Sequence, residues 1–599
     1  MHPSVVRTWP FIEQMLDKGS LCDADYVIAD FLLRSFPDVS EDIALLLCHL
    51  SAALRQGHLC ISITDSTILP PVSETWVGGE EKSTQLLPLE VEAIERSIRF
   101  GARSLPSFLC ENGEVTPHPQ TPLVQHQDDF YFQRYWEEES AIASGIRQIL
   151  SISPTISAEA HACPNEALLP EQLAAIKSGC AHCLTVICGG PGTGKTFTAS
   201  QFVKAYWNAI SPEQQKTCKI VLAAPTGKAA AHLQIGLQRA TQELDHFPPI
   251  QAQTLHALLE IRLRKTNTEK RVVRLSADLV IVDESSMIDA HLMGKLLLAM
   301  KPGARLLLIG DPNQLPPVAT GAPFAEIIKS LHRHRPDQIV SLKTCLRAEL
   351  KTLIELASYI HAGDAPKTLH LLTSGKSGVS HYSSLHEFRK AERQLAETTL
   401  SHFSFPKPLF DEPESILKLF DRFRILSPMR KGSYGVDTVN AFCLEHAIAN
   451  SIAEEDPLFV APIILTSNDH RLRLFNGEVG ILIRPLGNRR KNELAQILEG
   501  DYALLPASDG SGRARKIPAL LLPLYEYAYC LSVHKSQGSE FDHVLLLMSE
   551  GAEHFGREVL YTAVTRARKI LEVWGTDETL TAAIQKCSLR VSGLQKQFI

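Results

Sequence analysis

The sequence predicts a multidomain α/β protein: two parallel-sheet domains with crossover helices, a small β-barrel inserted into the second, and a helical domain in front. Three observations carry that reading. The chain has 599 residues, enough for about four domains of ordinary size. From residue 166 onward, short β-branched runs alternate with helical stretches. Between residues 448 and 528 that texture gives way to short strands separated by Gly, Asn and basic turns.

Residues 1–110 read as helical, because Ile43, Leu46, Leu47, Leu50 and Leu54 recur at helical spacing and Gly57 follows as a stop. Residues 111–165, with Pro117, Pro119, Pro122, Pro154 and Pro164 around a Tyr- and Glu-rich helical stretch, read as a connector. The first α/β domain is expected over 166–335 and the second over 336–447 and 529–599, with its first strand near Gln338. In the inserted barrel, strands are expected at 462–465, 478–483, 503–505 and 519–522. Residues 403–413 read as a surface loop.

Composition excludes several classes. Apolar residues at 44% and charged residues at 21% are those of a globular chain, neither disordered nor fibrous. Sixty Lys and Arg against 67 Asp and Glu leave a net charge of −7, so any nucleic-acid site must be a local groove. The 13 cysteines lie in unrelated contexts, and the opening Met1-His2-Pro3-Ser4 lacks the pattern of a secretory leader, which leads us to expect a cytoplasmic chain with reduced thiols. No uncharged apolar run reaches membrane-spanning length, so no membrane association is expected.

The strongest chemical signal is Gly189-Gly190-Pro191-Gly192-Thr193-Gly194-Lys195-Thr196, set between the strand-like Leu184-Thr185-Val186-Ile187-Cys188 and a helical stretch. A glycine-rich loop in that setting wraps phosphate oxygens with backbone N–H groups, Lys195 adds a positive charge, and the Thr196 hydroxyl can ligate Mg²⁺. The other half of such a site is an acid at the end of a second buried strand. Leu279-Val280-Ile281-Val282-Asp283-Glu284 supplies it: Asp283 to hold Mg²⁺ and Glu284 to polarise water. An acidic pair after an apolar run often only begins a helix; the P-loop upstream makes it a site.

Further motifs follow in order: Ala223-Ala224-Pro225-Thr226-Gly227-Lys228, Gln253-Thr254-Leu255-His256, Asp283-Glu284-Ser285-Ser286-Met287, Gly310-Asp311-Pro312-Asn313-Gln314, Val533-His534-Lys535-Ser536-Gln537-Gly538-Ser539-Glu540 and Tyr561-Thr562-Ala563-Val564-Thr565-Arg566. This set resembles that of the superfamily 1 DNA helicases, and its order and spacing resemble the RecD family, alpha subunits of exodeoxyribonuclease V. The likeness runs from residue 170 to 575, extends through Asn468-Asp469 and Leu474-Phe475-Asn476-Gly477-Glu478 in the insert, and is weaker over the N-terminal helices.

The resemblance implies two RecA-like motor domains, an SH3-like insert and an ATP-driven DNA helicase moving 5′→3′, with ATP and Mg²⁺ as cofactors. It further implies work beside RecB-like and RecC-like subunits in a heterotrimer that processes double-strand breaks for recombination. Gln172 resembles the adenine-reading glutamine, Gln314 the γ-phosphate sensor, and Arg347 and Arg566 the arginines that reach the phosphates from the second domain. Glu540 resembles the residue that couples nucleotide to domain closure. The alternatives are an exposed helix residue at Gln172 and surface ion-pair partners at the two arginines. Single-stranded DNA is implied to be contacted by Thr226 and Lys228 on one side and by Thr254, His256 and His534 on the other.

Arg262, Arg264, Lys265, Lys270, Arg271 and Arg274 read as a basic hairpin over 260–276, either a small wedge or a solvated turn. Arg471, Arg473, Arg484, Arg489, Arg490 and Lys491 make the insert basic, as a clamp or as solvated charge. Cys180-Ala181-His182-Cys183, near His161 and Cys163, has no partner motif at zinc spacing and reads as free thiols. No acid constellation suits nuclease chemistry, which is expected of another subunit. Against the helicase stand three other readings: a regulatory nucleotide-binding assembly subunit, a stand-alone RecD-like helicase and an RNA helicase. Intact Lys195, Glu284 and Arg566 argue against the first, and no helix-hairpin-helix signature favours the second.

Overall fold

The computed structural model describes residues 9–36, 38–76, 86–113, 120–156, 168–244, 246–259, 274–345, 351–383, 412–452, 458–469, 471–485, 496–507, 513–588 and 590–598. Helices Pro10–Asp17, Asp23–Leu33 and Pro88–Arg103 surround Glu41–Arg55, whose residues 43–53 are all buried. These helices share their domain with a sheet of β1 (Ile61–Ile63), β2 (Ile68–Leu69), β3 (Cys110–Asn112), β4 (Leu123–His126) and β5 (Asp129–Phe132), ordered β2-β1-β5-β4-β3. The N-terminal unit is therefore helical with a small sheet, and it runs past residue 110 into the expected connector. Strands of two to four residues with polar members, such as Cys-Glu-Asn, are too short to show alternation.

The rest of that connector is also committed. Helix Gln133–Leu150 turns Ile142, Ala143, Ile146 and Ile149 into the core of the next domain, against helix Ala290–Ala299. That domain is a six-stranded parallel sheet of β6 (Leu184–Gly189), β7 (Ile220–Ala224), β8 (Gln253–Thr254), β9 (Leu279–Val282), β10 (Arg305–Gly310) and β11 (Ile339–Leu342), ordered β11-β6-β10-β9-β7-β8. Its central strands are covered on both faces, which is why they read as unbroken apolar runs. Helices Pro170–Ala181, Lys195–Ala209 and Gly227–Thr241 cover the face opposite Gln133–Leu150.

Strand β11 corrects the expected boundary at 336. Ile339–Leu342 pairs with β6 in the first sheet rather than opening the second. A four-residue Ile-Val-Ser-Leu run marks a strand but carries nothing about which sheet it joins.

The second sheet begins with β12 (Val379–Tyr382) and β13 (Phe423–Ser427). The chain then leaves it for β14 (Leu458–Leu465), β15 (Val479–Pro485), β16 (Tyr502–Pro506), β17 (Ala514–Pro518) and β18 (Tyr525–Tyr527), an antiparallel sheet ordered β17-β16-β15-β14-β18. It returns with β19 (Cys530–Ser532), β20 (Phe541–Leu547) and β21 (Ala567–Trp574), completing a parallel sheet ordered β12-β21-β20-β13-β19. The inserted strands have a core of their own, built on Ile463, Leu465, Leu474, Leu482 and Leu505.

After helix Asp577–Gln585 the chain crosses back, so residues 590–598 do not belong to the second domain as expected. Leu594, 1% exposed, enters the core of the first parallel-sheet domain. Val591 O accepts from Leu59 N at 3.0 Å, and Lys596 pairs with Asp129 at 2.7 Å. One buried leucine in a short polar tail gives no periodic signal. Among the described residues, no helix is long and apolar enough to cross a membrane. Cys180 and Cys183 lie in the two cores flanking the first sheet, and the expected surface loop at 403–411 lies outside the described residues.

Candidate nucleotide and nucleic-acid site

The two parallel sheets meet at a cleft formed by the ends of their strands, and the site is built on the turns that leave those ends. After β6 the chain turns through Gly192 at φ 74° and Gly194 at φ 80°, a left-handed backbone open to glycine, before helix Lys195–Ala209 begins. Lys195 Nζ donates to the carbonyls of Gly189 (2.7 Å) and Gly190 (3.0 Å), folding the lysine across the loop it would share with phosphate. Thr193 Oγ1 closes the turn on Gly190 O at 2.9 Å.

At the end of β9, Asp283 Oδ2 accepts from Thr196 Oγ1 at 3.2 Å, joining the two halves of the motif. Burial raises the Asp283 carboxyl above the ordinary range, while the Glu284 N–H, Lys195 and Thr196 pull it back. These hard oxygens suit a magnesium ion arriving with phosphates. Glu284 sits at φ 52°, a conformation that costs a non-glycine residue about 1–3 kcal/mol and gathers at working sites. Burial first, and then the neighbouring Asp283, raise its carboxyl as well; Lys195 and Arg566 oppose them.

Beyond β10, Gln314 donates from Nε2 to Asp311 Oδ2 at 3.3 Å, and its buried Oε1 has no partner among the described residues. Gln172, 1% exposed at the start of helix Pro170–Ala181, is likewise half satisfied. Its Oε1 accepts from Leu169 N at 3.1 Å, and its buried Nε2 has no acceptor among the described residues. A buried amide in that state fits a ligand edge, and the exposed-residue alternative does not hold.

From the second domain, Arg566 is 4% exposed and held by Thr562 O (3.1 Å), Ser539 O (3.2 Å) and Thr565 Oγ1 (3.3 Å), which excludes a surface ion pair. Glu540 accepts from Arg568 Nε at 3.2 Å. Arg347 lies outside the described residues, as does most of the basic hairpin, residues 260–273.

The cleft is already bridged, by residues to which the sequence reading assigned no role. Tyr561 Oη donates to Asp311 Oδ2 at 3.0 Å, Leu315 N to Thr562 Oγ1 at 2.9 Å, and Gln537 Nε2 to Leu315 O at 3.4 Å. All but Leu315, which directly follows Gln314, stand in a quoted motif; only their pairing was invisible. Glu171 Oε1 accepts from the N–H groups of Lys343 and Thr344 at 3.0 and 2.8 Å, tying the helix that carries Gln172 to the segment after β11.

Thr226 caps helix Gly227–Thr241 at the end of β7, and Lys228 Nζ reaches Ser539 Oγ of the second domain at 2.8 Å. Thr254 ends β8, which pairs with β7, and exposed His256 follows it. Both therefore stand with Thr226 and Lys228 in the first domain, within its expected bounds of 166–335, and of the five only His534 stands on the second. His534 follows β19, the edge of the second sheet, where burial and then the charge of Arg590 lower its pKa. Arg484 is a correction too. It is buried in the insert against Asp501 (3.2 Å) and cannot face a strand, whereas Arg471 and Arg473 are exposed; Arg489, Arg490 and Lys491 lie outside the described residues.

Comparison with known proteins adds three matching family profiles: RecBCD enzyme subunit RecD, N-terminal domain, over residues 17–131; AAA domain over 172–320; and UvrD-like helicase C-terminal domain over 527–573. RecBCD enzyme subunit RecD of Mycolicibacterium smegmatis is 33% identical over 96% of this chain and 97% of its own. Its namesake in Mycobacterium tuberculosis is 31% identical over 96% and 95%. The ATP-dependent RecD2 DNA helicase of Deinococcus radiodurans is 29% identical over 73% of this chain and 54% of its own.

Proposed function

The chain belongs to the family of RecBCD enzyme subunit RecD, and on that premise we propose that it is an ATP-dependent 5′→3′ DNA helicase and translocase. It works as the alpha subunit of a RecBCD-like exodeoxyribonuclease V, beside RecB-like and RecC-like subunits, in double-strand break repair and recombination in the cytoplasm. Nuclease activity resides in a partner subunit. The observation that carries the reading is one cleft between two parallel sheets that gathers Lys195, Thr196, Asp283 and Glu284 from one side and Arg566 from the other.

On nucleotide binding, Lys195 exchanges the carbonyls of Gly189 and Gly190 for phosphate oxygens, Gly190 to Gly194 wrap the phosphates, and the Gln172 amide pairs with the base edge. Thr196 and Asp283 hold Mg²⁺, which when bound neutralises phosphate charge. An attacking water forms its bond to the γ-phosphorus as the bond to ADP breaks, and its proton passes to Glu284, whose raised carboxyl suits it as base. Gln314, Arg347 and Arg566 meet the charge that develops. Glu540 and the bridges from Tyr561, Thr562 and Gln537 carry closure between the motor domains. Each base-pair step resists with about 1.4 kcal/mol of stacking, so closure must be tightly coupled to a short step.

Single-stranded DNA lies across Thr226, Lys228, Thr254 and His256 on the first motor domain and His534 on the second. The inserted sheet closes as an SH3-like barrel over that strand, and the N-terminal unit docks on the RecC-like subunit. Lys195→Gln tests the reading: ATP hydrolysis stimulated by single-stranded DNA should vanish while strand binding persists. Equal loss of both would contradict the assignment of Lys195 to phosphate.

A further inference from the structure

The insert touches the first motor domain at a point with consequences for the strand itself. Phe475 is half-buried on the loop between β14 and β15, and a methyl group built on Gly227 would lie 3.8 Å from its ring. Gly227 stands between Thr226 and Lys228, so Phe475 lies against the middle of the motif proposed to hold nucleic acid.

The loop is built to hold that ring in place. Asp469 and Leu474 exchange backbone hydrogen bonds of 2.8 and 2.9 Å, and Asp469 Oδ1 accepts from the N–H groups of Arg471 and Leu472. Asn468 Oδ1 accepts from Asn476 N at 2.7 Å, and Arg515 Nη1 bonds the carbonyls of Leu472 and Arg473 from below while its Nη2 binds Glu478. Arg473 is exposed at φ 52°, and the Arg471 side chain is 94% exposed. An aromatic ring on a fixed loop, beside exposed guanidinium groups and opposite Lys228, is the combination that grips a single strand without reading its sequence: cations for phosphates, a ring face for a base.

We infer that Phe475 is a stacking platform for one base of the translocating strand, held against Gly227 at the contact between the insert and the first motor domain. The ring is a positioning residue: it fixes one nucleotide relative to Thr226 and Lys228 while the motor domains move. The inference rests on the helicase reading above and adds a residue to it.

The test measures binding of the full chain to fluorescein-labelled oligothymidylate and to a series of oligothymidylates carrying one abasic site at successive positions. Phe475→Ala and Phe475→Leu should each weaken binding by roughly 5- to 150-fold, the equivalent of about 1–3 kcal/mol for one stacked base, and Phe475→Trp should restore it. One abasic position should weaken the wild type and have no further effect in Phe475→Leu, a non-additivity that a packing role would not produce. Leucine keeps the apolar volume, so it carries the test if the alanine variant unfolds. Wild-type affinity in Phe475→Leu, or additive penalties, would overturn the inference and leave the helicase reading standing. Absence of strand binding by the wild type would overturn both.

Discussion

Removing one oxygen atom tests how the two motor domains are held around the nucleotide. Tyr561 Oη donates to Asp311 Oδ2 at 3.0 Å, a buried bond between the domains, and Tyr561 lies against the P-loop, 3.4 Å from a methyl group built on Gly190. Burial, and then Asp311, push the hydroxyl well above its usual pKa, so it remains a donor at working pH. A hydrogen bond to a charged group contributes about 1.5–3 kcal/mol, and deleting it leaves Asp311 Oδ2 with the weaker Gln314 contact at 3.3 Å, while Oδ1 keeps the Asn313 N–H at 3.1 Å. Tyr561→Phe keeps the ring and loses the bond. The closed cleft should lose roughly 10- to 150-fold in its equilibrium with the open one, and the KM for ATP should rise by a comparable factor. The assay is steady-state ATP hydrolysis over a range of ATP concentrations, with single-stranded DNA saturating. A KM within twofold of the wild type would refute the claim that this bond holds the closed state.

Two further outcomes follow from buried charge. Glu139 accepts from Ser592 Oγ, Tyr131 Oη and Gln597 Nε2 where the C-terminal tail docks, and burial pushes its carboxyl up to about 7. Between the ordinary carboxylate value of about 4.3 and that raised value, the folded state holds a proton that the unfolded state has lost, so stability falls as pH rises through this window. Limited proteolysis of the tail should therefore speed up from pH 5 to pH 8, and Glu139→Gln should flatten the trend; an unchanged slope in the variant would assign it to another group. In the insert, Arg484→Ala strands Asp501 without its buried partner and should cost about 3–5 kcal/mol in denaturant unfolding, against a negligible loss at exposed Arg471. Equal losses at the two arginines would mean that Arg484 is solvated.

The sequence made the motor sheets and the nucleotide loop legible for a physical reason. A strand covered on both faces must be apolar throughout, and a phosphate loop must carry glycine where the backbone turns left-handed, so β6, β9 and the turn at Gly194 announce themselves. What stayed hidden depends on partners distant in sequence. β11 shows a strand but not its neighbour, and β1 to β5 are too short to alternate. Arg484 reads as one more basic residue until Asp501 is found beside it. The contact of Tyr561 with Asp311 spans 250 residues, and no spacing rule reaches that far.

The most direct test of the account is ATP-dependent unwinding by the purified chain on matched duplexes bearing either a 5′ or a 3′ single-stranded tail, with Lys195→Gln as control. The account predicts strand separation on the 5′-tailed duplex alone, and none by the variant. Unwinding that prefers the 3′ tail, or that survives in Lys195→Gln, would contradict it.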